Sequence, residues 1–389
     1  MRRLTFCDIA TFYCPTGGGI RTYYEAKLDW FGRQDRHRYV LIIPGSRSST
    51  RALTPSVTLV EARGIGVTRR HAGYRLFVDF THIRSTVREC RPDVLEAGDP
   101  WISGPFALWL RRQDGTPRTV SSFFHSDPMP TYVEPALVRM APRWMASTMS
   151  HMASRAFYQL QASYDMTMVG SAVCVGRLMQ EGVTNVWCTP LGVDSRLFDV
   201  AHRRRSVDLP RRLLYVGRLD RDKQVELLLA ILPRLLENSG DVFVTVAGTG
   251  AFRSTFERWA HPRLRYAGYV RDRDAVAALY SEHDILLAPG AYETFGLAGL
   301  EAAAAGLIVV GPDRGGTGAI LREMQSPFAF ESGNAEDFLA TVRAALRADW
   351  SQASQASRAL AARYGTWPDA ITRLVNTYEQ RLETRRCRD

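Results

Sequence analysis

Short apolar runs alternate along the chain with longer segments whose apolar residues recur at helical spacing. RRLTFCDIA (2–10), RYVLIIPG (38–45), PDVLEAGD (92–99), TVSSFFHSD (119–127), YDMTMVGSAV (164–173) and NVWCTPLGV (185–193) read as strands or strand ends. The pattern then starts afresh with RRLLYVGRLD (211–220), DVFVTVAGTG (241–250), LRYAGYV (264–270), HDILLAPG (283–290) and LIVVGPD (307–313). Helix-period segments separate them, such as KQVELLLAILPRLLENSG (223–240) and RDAVAALYSEH (273–283). Strands alternating with helices predict βαβ units and parallel sheets. The break falls at the basic, polar AHRRRSVDLPRR (201–212), so residues 195–210 read as a linker. The expected fold is α/β, with two doubly wound, Rossmann-like domains, 1–195 and 196–365, facing across a cleft. In the last segment, 366–389, Trp367, Ile371, Leu374, Val375, Tyr378 and Leu382 fall near helical spacing, which predicts a helix packing back on the first domain.

A length of 389 residues suits two cores of ordinary size rather than one. Hydrophobic residues at 46% and charged residues at 23% exclude a disordered or fibrous chain. No apolar run is long enough to span a bilayer. The start, MRRLTFCDIATFYCPTGGG, is interrupted by Asp8 and Pro15 and reads as a first strand and loop, not a signal peptide. The six cysteines, at 7, 14, 90, 174, 188 and 387, form no CxxC pair, which argues against a zinc or redox site. Cys7 and Cys174 lie in apolar runs as buried thiols, a pattern that fits a reducing cytoplasm.

Net charge is +10, and of 50 basic residues only Lys27 and Lys223 are lysines. Such a surface suits nucleic acid, acidic lipid or phosphate-bearing substrates. No helix-turn-helix, zinc-finger or RNP signature accompanies it, so nucleic acid is set aside as a partner.

Candidate chemistry sits at the strand ends. PTGGGIRTYYEAKL (15–28) puts three glycines, Gly18 and Gly19 among them, between a strand and a helix, which serves a tight turn or an anion loop equally well. LLYVGRLDRDKQVELLLA (213–230) carries Arg218 and Lys223 from a strand end into a helix, where open α/β sheets bind ligands; Asp220 and Asp222 are the alternative local partners of these cations. AGTGAF (247–252) repeats the strand-then-glycine pattern, and Tyr269 and Val270 read either as core or as walls for a base. SSFFHSDPMPTY (121–132) delivers His125 and Asp127, with Asp127 placed to hold the histidine or accept from a hydroxyl. In YETFGLAGLE (292–301), Glu293 precedes a helix starting near Phe295, whose first amides and small residues Gly296, Ala298 and Gly299 allow close ligand approach, while Glu301 can accept paired hydroxyls.

Together these segments resemble the retaining glycosyltransferases of family 4, the glycosyl transferases group 1 superfamily, which have the GT-B fold. The resemblance covers most of the chain and is strongest over 190–320. Its most specific element is an acid, seven residues and a second acid, here Glu293 to Glu301 in ETFGLAGLE. PLGVD (190–194), VGRLDRDKQVELLLA (216–230), GPDRGGTGAI (311–320) and TWPDAITRLVNTYEQRL (366–382) match the family's order around it.

The resemblance implies transfer of a hexosyl group, with retained anomeric configuration, from a UDP- or GDP-type nucleotide sugar to a hydroxyl of a glycan, glycolipid or small molecule. It places the work in cell-envelope or polysaccharide synthesis. Arg218 and Lys223 would neutralise the departing diphosphate, Glu301 would hold the ribose, and Glu293 would sit near the donor sugar. The amides of Phe295, Gly296 and Leu297 would contact sugar hydroxyls or phosphate, Gly18 and Gly19 would approach the phosphate, and His125 matches a histidine near the sugar. No resident cofactor and no metal ion are implied.

Two other readings fit the same architecture: a nucleotide-sugar epimerase, and a non-catalytic nucleotide-sugar-binding subunit. The stretch ALVRMAPRWMASTMSHMASRAFYQLQ (136–161) has apolar residues at partly helical spacing and is expected to pack inward, with peripheral contact at the inner face of a membrane as the alternative.

Overall fold

Every apolar run read as a strand forms one in the computed structural model, which describes residues 2–15, 17–67, 74–199, 211–238 and 241–386. The chain divides into two compact units, Met1–Pro190 with Pro368–Asp389, and Leu191–Trp367. Most of the stretch expected as a linker, 200–210, lies outside the described residues, as does Cys387.

The first unit holds β1 (Thr5–Ile9), β2 (Arg38–Gly45), β3 (Ser49–Thr54), β4 (Val57–Gly66), β5 (Arg75–Phe77), β6 (Val94–Ala97), β7 (Thr119–Phe123), β8 (Met166–Val169) and β9 (Val186–Cys188). They join in the order β3-β4-β2-β1-β6-β7-β8-β9, with β5 on β4. The sheet is parallel, as expected, except where β3 and β5 pair antiparallel with β4. The physical reason is local. The segment between β2 and β4 is polar and lacks an apolar helical stripe, so it forms an exposed edge strand instead of a crossover helix.

Helices α1 (Gly19–Gly32), α2 (Phe80–Cys90), α3 (Ser103–Asp114), α4 (Glu134–Met140), α5 (Arg143–Ala162) and α6 (Ala172–Gln180) complete the winding. Asp79 and Ser171 cap α2 and α6 by accepting from the amides of His82 and Cys174. Cys7, Ile9, Val40, Ile42 and Leu95 pack against Ile83, Val87, Ala107 and Leu110.

Helix α5 does not behave as expected. It buries Ala146, Phe157, Tyr158 and Gln161, but Trp144, Met145, Met149 and Met152 are exposed, so inward packing is corrected for the methionine-rich face.

The second unit holds β10 (Arg211–Val216), β11 (Val242–Ala247), β12 (Leu264–Gly268), β13 (Ile285–Leu287), β14 (Ile308–Pro312) and β15 (Ala329–Phe330). Its helices are α7 (Val225–Asn238), α8 (Arg253–Arg258), α9 (Arg273–Ser281), α10 (Leu297–Ala304), α11 (Gly315–Glu323), α12 (Ala335–Arg347) and α13 (Trp350–Tyr364). All strands pair parallel in the order β12-β11-β10-β13-β14-β15. From β10 the chain winds outward through β11 and β12, then crosses back to β13. That reversal opens a crevice beyond the carboxyl ends of β10 and β13, where such sheets bind ligands.

The last helix, α14 (Trp367–Arg386), joins the first unit from Pro368 onward. Ile371, Leu374, Val375 and Tyr378 are buried. Trp30 Nε1 donates to Thr372 Oγ1 at 3.0 Å, and Arg36 pairs with Glu379 at 2.6 Å. Among the described residues no helix is long and apolar enough to cross a membrane.

Candidate active site

The crevice of the second unit is built from two loops. After β10 the chain carries Arg218, Asp220, Asp222 and Lys223 through a short 3₁₀ turn into α7. After β13 it carries Gly290 and Glu293 into α10. Lys223 Nζ reaches across to Glu293 Oε1 at 2.9 Å, and Gln224 Oε1 accepts from the Ala291 amide at 2.9 Å. Gln224 holds this position with a left-handed backbone, φ 50°. Tyr215, Gly217, Lys223, Gly290, Glu293 and Ala298 line a small cleft between the two loops. Arg218 behaves differently from Lys223. Its guanidinium is gripped by Asp220 at 2.9 Å and by Asp222, the two local partners open to it from the sequence.

The glycines around this cleft are explained by packing. Gly248 and Gly250 have positive φ, and a Cβ on them would meet Gly217 O at 1.8 Å and Leu219 O at 2.5 Å, so AGTGAF is the turn that clamps the β10 loop. Gly316 donates to Glu293 O at 2.6 Å, and a Cβ on it would lie 2.1 Å from Phe295 C. Gly296 has φ +83° and abuts Thr317. Gly296 and Gly299 therefore face α11, and at Gly296 close packing accounts for the glycine beside the ligand approach expected of it. The late glycine loop packs closely on the Glu293 loop.

Phe295 itself is buried against Tyr364 of α13, ring centroids 5.7 Å apart, so only its backbone is available to a ligand. The helix begins at Leu297, two residues later than expected. The amides of Phe295 and Gly296 donate to no acceptor among the described residues, and Leu297 opens a helix whose first N–H groups lack intrahelical carbonyls. Three amides at a helix N-terminus form a favourable place for negative charge.

Glu301, one turn into α10, is held by two residues of α9. Tyr280 Oη donates to Glu301 Oε2 at 3.3 Å, and Arg273 lies 3.7 Å from Oε1. Burial pushes the carboxyl up to about 7, against the pull of Arg273 and Tyr280, and the charges of Asp194 and Glu293 push it further. The sequence pattern did not single out Arg273, Tyr280 or Gln224. The available signal was the i, i+7 spacing of Arg273 and Tyr280, which puts both on one face of α9. Tyr269, left open between core and ligand wall, is exposed after β12. No group of three or more His, Cys, Asp or Glu among the described residues is arranged to hold a metal ion.

In the first unit, Gly18 caps α1 with negative φ, and a Cβ there would meet no atom within 4 Å. Packing does not require glycine at this position. Gly19 is the first residue of α1. His125 follows β7 with its ring stacked on Phe123 at 4.8 Å and edge-on to Tyr23 at 5.0 Å. Burial pushes its imidazole down to about 4, which keeps it neutral. Asp127 does not hold His125: its carboxylate is taken by Arg177 and by the Met129 amide at 3.2 Å.

Beneath these residues lies a buried charge cluster absent from the expected site. Asp8 and Glu96 sit opposite each other on β1 and β6, and Lys27 of α1 meets both, at 2.5 and 3.2 Å. Tyr23, Tyr39 and Tyr378 complete it: Tyr39 donates to Asp8 at 2.7 Å, Tyr378 to Glu96 at 2.8 Å.

A family model described as "Glycosyl transferases group 1" matches residues 210–348, which contain the whole β10, β13 and α10 arrangement. A GDP-mannose-dependent alpha-(1-6)-phosphatidylinositol dimannoside mannosyltransferase of Mycobacterium tuberculosis is 30% identical over 311 residues, 77% of each chain. The chain belongs to the glycosyl transferases group 1 family. A second relative, a GDP-mannose-dependent alpha-mannosyltransferase of Mycolicibacterium smegmatis, is 27% identical over 396 residues, 98% of each chain. In fold the chain is similar to sucrose-phosphate synthase from Thermosynechococcus elongatus, with a TM-score of 0.73 at 19% identity over 97% of this chain and 99% of that one. The fold is thus that of the GT-B glycosyltransferases, with two Rossmann-like domains. As a member of the family the protein is a nucleotide-sugar-dependent glycosyltransferase, and these relatives are glycosyltransferases, not epimerases.

Proposed function

We propose that this glycosyltransferase moves a mannosyl group from GDP-mannose to a hydroxyl of a glycan, glycolipid or small-molecule acceptor, with retention and without a bound metal ion. The observation that carries the reading is the meeting of Lys223 with Glu293 at the switch point of the second sheet, beside the open amides of α10. The donor is argued from the relatives, whose names specify GDP-mannose and α-linked products. Mannose is α-linked in GDP-mannose, so an α-linked product means retention.

In this reading Lys223, Arg218 and the amides of Phe295, Gly296 and Leu297 stabilise the charge of the departing diphosphate. Arg218 exchanges part of its grip on Asp220 and Asp222 for the phosphate, a guanidinium being suited to two acceptors at once. Glu301 accepts from the ribose hydroxyls, Tyr269 flanks the base, and Glu293 is near the sugar. Gly18, Gly19 and His125 keep roles drawn from the family resemblance: amides for phosphate, and a neutral imidazole that can donate to a sugar hydroxyl. The acceptor hydroxyl attacks from the face the diphosphate leaves, through an oxocarbenium-like state, and the departing phosphate takes the proton. The protein supplies position and charge.

The test is a donor screen with GDP-mannose, UDP-glucose and ADP-glucose, read by nucleotide release and by NMR of the product's anomeric proton, with and without EDTA. The reading expects release from GDP-mannose, an α-linked product and indifference to EDTA. Turnover of a UDP- or ADP-sugar with GDP-mannose inert, a β-linked product, or loss of activity with EDTA would each overturn the corresponding part.

A further inference from the structure

We infer that the α4–α5 corner of the first unit is a docking surface for an anionic lipid bilayer. Met140 is 83% exposed, Trp144 73% and Met152 65%, and Met145 and Met149 are exposed beside them. Met145, Met149 and Met152 follow i, i+4, i+7 spacing and share one side of α5, away from the Ala146, Phe157 and Gln161 face that packs on the unit. Large apolar side chains gathered on one helix face are a patch and not the scattered exposure of an ordinary surface.

The charge around the patch selects the occupant. Arg139, Arg143 and Arg155 are exposed and form no ion pair with a described carboxylate, and no acidic residue occurs between 135 and 162. Arg155 lies eleven residues, about three turns, after Trp144 and so comes up on the same side. An exposed stripe of methionines with a tryptophan beside it, flanked by arginines that pair with no described carboxylate, is the composition of a helix that lies in a headgroup layer. Tryptophan and arginine settle at that depth, and each arginine gains from the negative surface potential. A second copy of the chain is disfavoured as occupant, because a two-fold contact would bring the same arginines face to face. Nucleic acid would match the arginines and leave the methionines and Trp144 without a partner.

The inference does not depend on the donor or linkage proposed above, and its test has no catalytic readout. Flotation is measured at low salt with vesicles of equimolar phosphatidylglycerol and phosphatidylcholine, and with phosphatidylcholine alone. The parent protein is expected to float with the mixed vesicles only. Trp144→Ser with Met149→Ser and Met152→Ser abolishes flotation. Arg139→Gln with Arg143→Gln and Arg155→Gln lowers the partition coefficient about a hundredfold. Thermal melts matching the parent's show that each variant is folded, and the two sets test the apolar and charged halves separately. Failure of the parent to float with anionic vesicles overturns the inference, as does flotation of both variants like the parent. A parent dimer that the methionine variant converts to a monomer, with flotation unchanged, assigns the face to a second copy and also overturns it.

Discussion

Lys223 Nζ lies 2.9 Å from Glu293 Oε1, joining the loop after β10 to the loop after β13 at the point where the sheet order reverses. Neither side chain is fully buried, so the pair can open without stranding a charge in the protein interior. In the proposed reaction a diphosphate arriving between the loops would compete with Glu293 for the ammonium, and the lysine would then be in place to meet charge as the donor bond breaks. Lys223→Ala is expected to lower kcat/KM by about 10²–10³, the scale of losing one charge-stabilising donor. Lys223→Arg should recover only part, since a forked guanidinium does not reproduce a point charge. Steady-state kinetics with the donor varied decide it; an alanine variant with parental kcat/KM removes Lys223 from the chemistry.

With Glu301 at the ribose, as proposed, the reaction would carry a pH signature. Burial holds its carboxyl up at about 7, and ribose hydroxyls donate best to the ionised form. The ionised fraction rises about tenfold from pH 6 to pH 8 for a group of that pKa. The donor KM should therefore fall by up to about tenfold across this window, and Glu301→Gln should flatten the profile. Arg273→Ala removes a charge that favours ionisation, so the fall should move to higher pH. The unliganded fold responds with the opposite sign. A carboxyl raised above its ordinary 4.5 favours the folded state below that value, and the contribution is lost as pH rises through about 7. A donor KM independent of pH in the parent would sink the assignment of Glu301 to the ribose.

Most of this geometry was legible as pattern, and the exceptions have physical causes. Strand positions follow from periodicity, which is a local property, and the Glu293–Glu301 spacing was read as a short motif carried by the family resemblance. The edge strand β3 was not visible because an exposed strand has no apolar alternation to read. The roles of Gly296, Gly299 and Gly316 were not visible either: glycine serves ligands and close packing alike, and only the contact of α10 with α11 distinguishes them. The spacing of Arg273 and Tyr280 puts both on one face of α9, but their meeting with Glu301, like that of Gln224 with Ala291, is a tertiary contact that no local pattern encodes. That Asp127 meets Arg177 and not His125 was not visible either, because Arg177 lies fifty residues away on another helix.

Two glycines should separate a packing role from a ligand role. Gly316→Ala puts a Cβ 2.1 Å from Phe295 C and must push the Glu293 loop aside, costing about 1–3 kcal/mol of stability together with activity. Gly18→Ala meets nothing within 4 Å, so it should cost less stability than Gly316→Ala. If Gly18 leaves room for a donor phosphate, the same variant raises donor KM. Thermal melts and donor kinetics of both variants are the measurement, and a Gly18→Ala enzyme indistinguishable from the parent in KM takes Gly18 out of the donor site.

Lys27 carries the last prediction. It is fully enclosed between Asp8 and Glu96, and burial alone would lower its pKa. The two carboxylates overcome that and hold the ammonium above its usual value, while burial pushes Asp8 up to about 7 despite the lysine. Removing the cation leaves two facing carboxyls with no charge between them, and breaking a buried pair in this way costs about 3–5 kcal/mol. Lys27→Met should therefore lower the melting transition of the first unit by on the order of 10 °C, given its size. Adding Glu96→Gln to Lys27→Met removes one of the stranded charges and should recover part of the loss. Tyr378→Phe deletes the donor to Glu96 from α14 and should cost only about 1 kcal/mol, because Tyr23 and Lys27 still serve that carboxylate. Thermal unfolding followed by circular dichroism ranks the three variants. If Lys27→Met melts no lower than Tyr378→Phe, the cluster's charge balance does not hold the unit together.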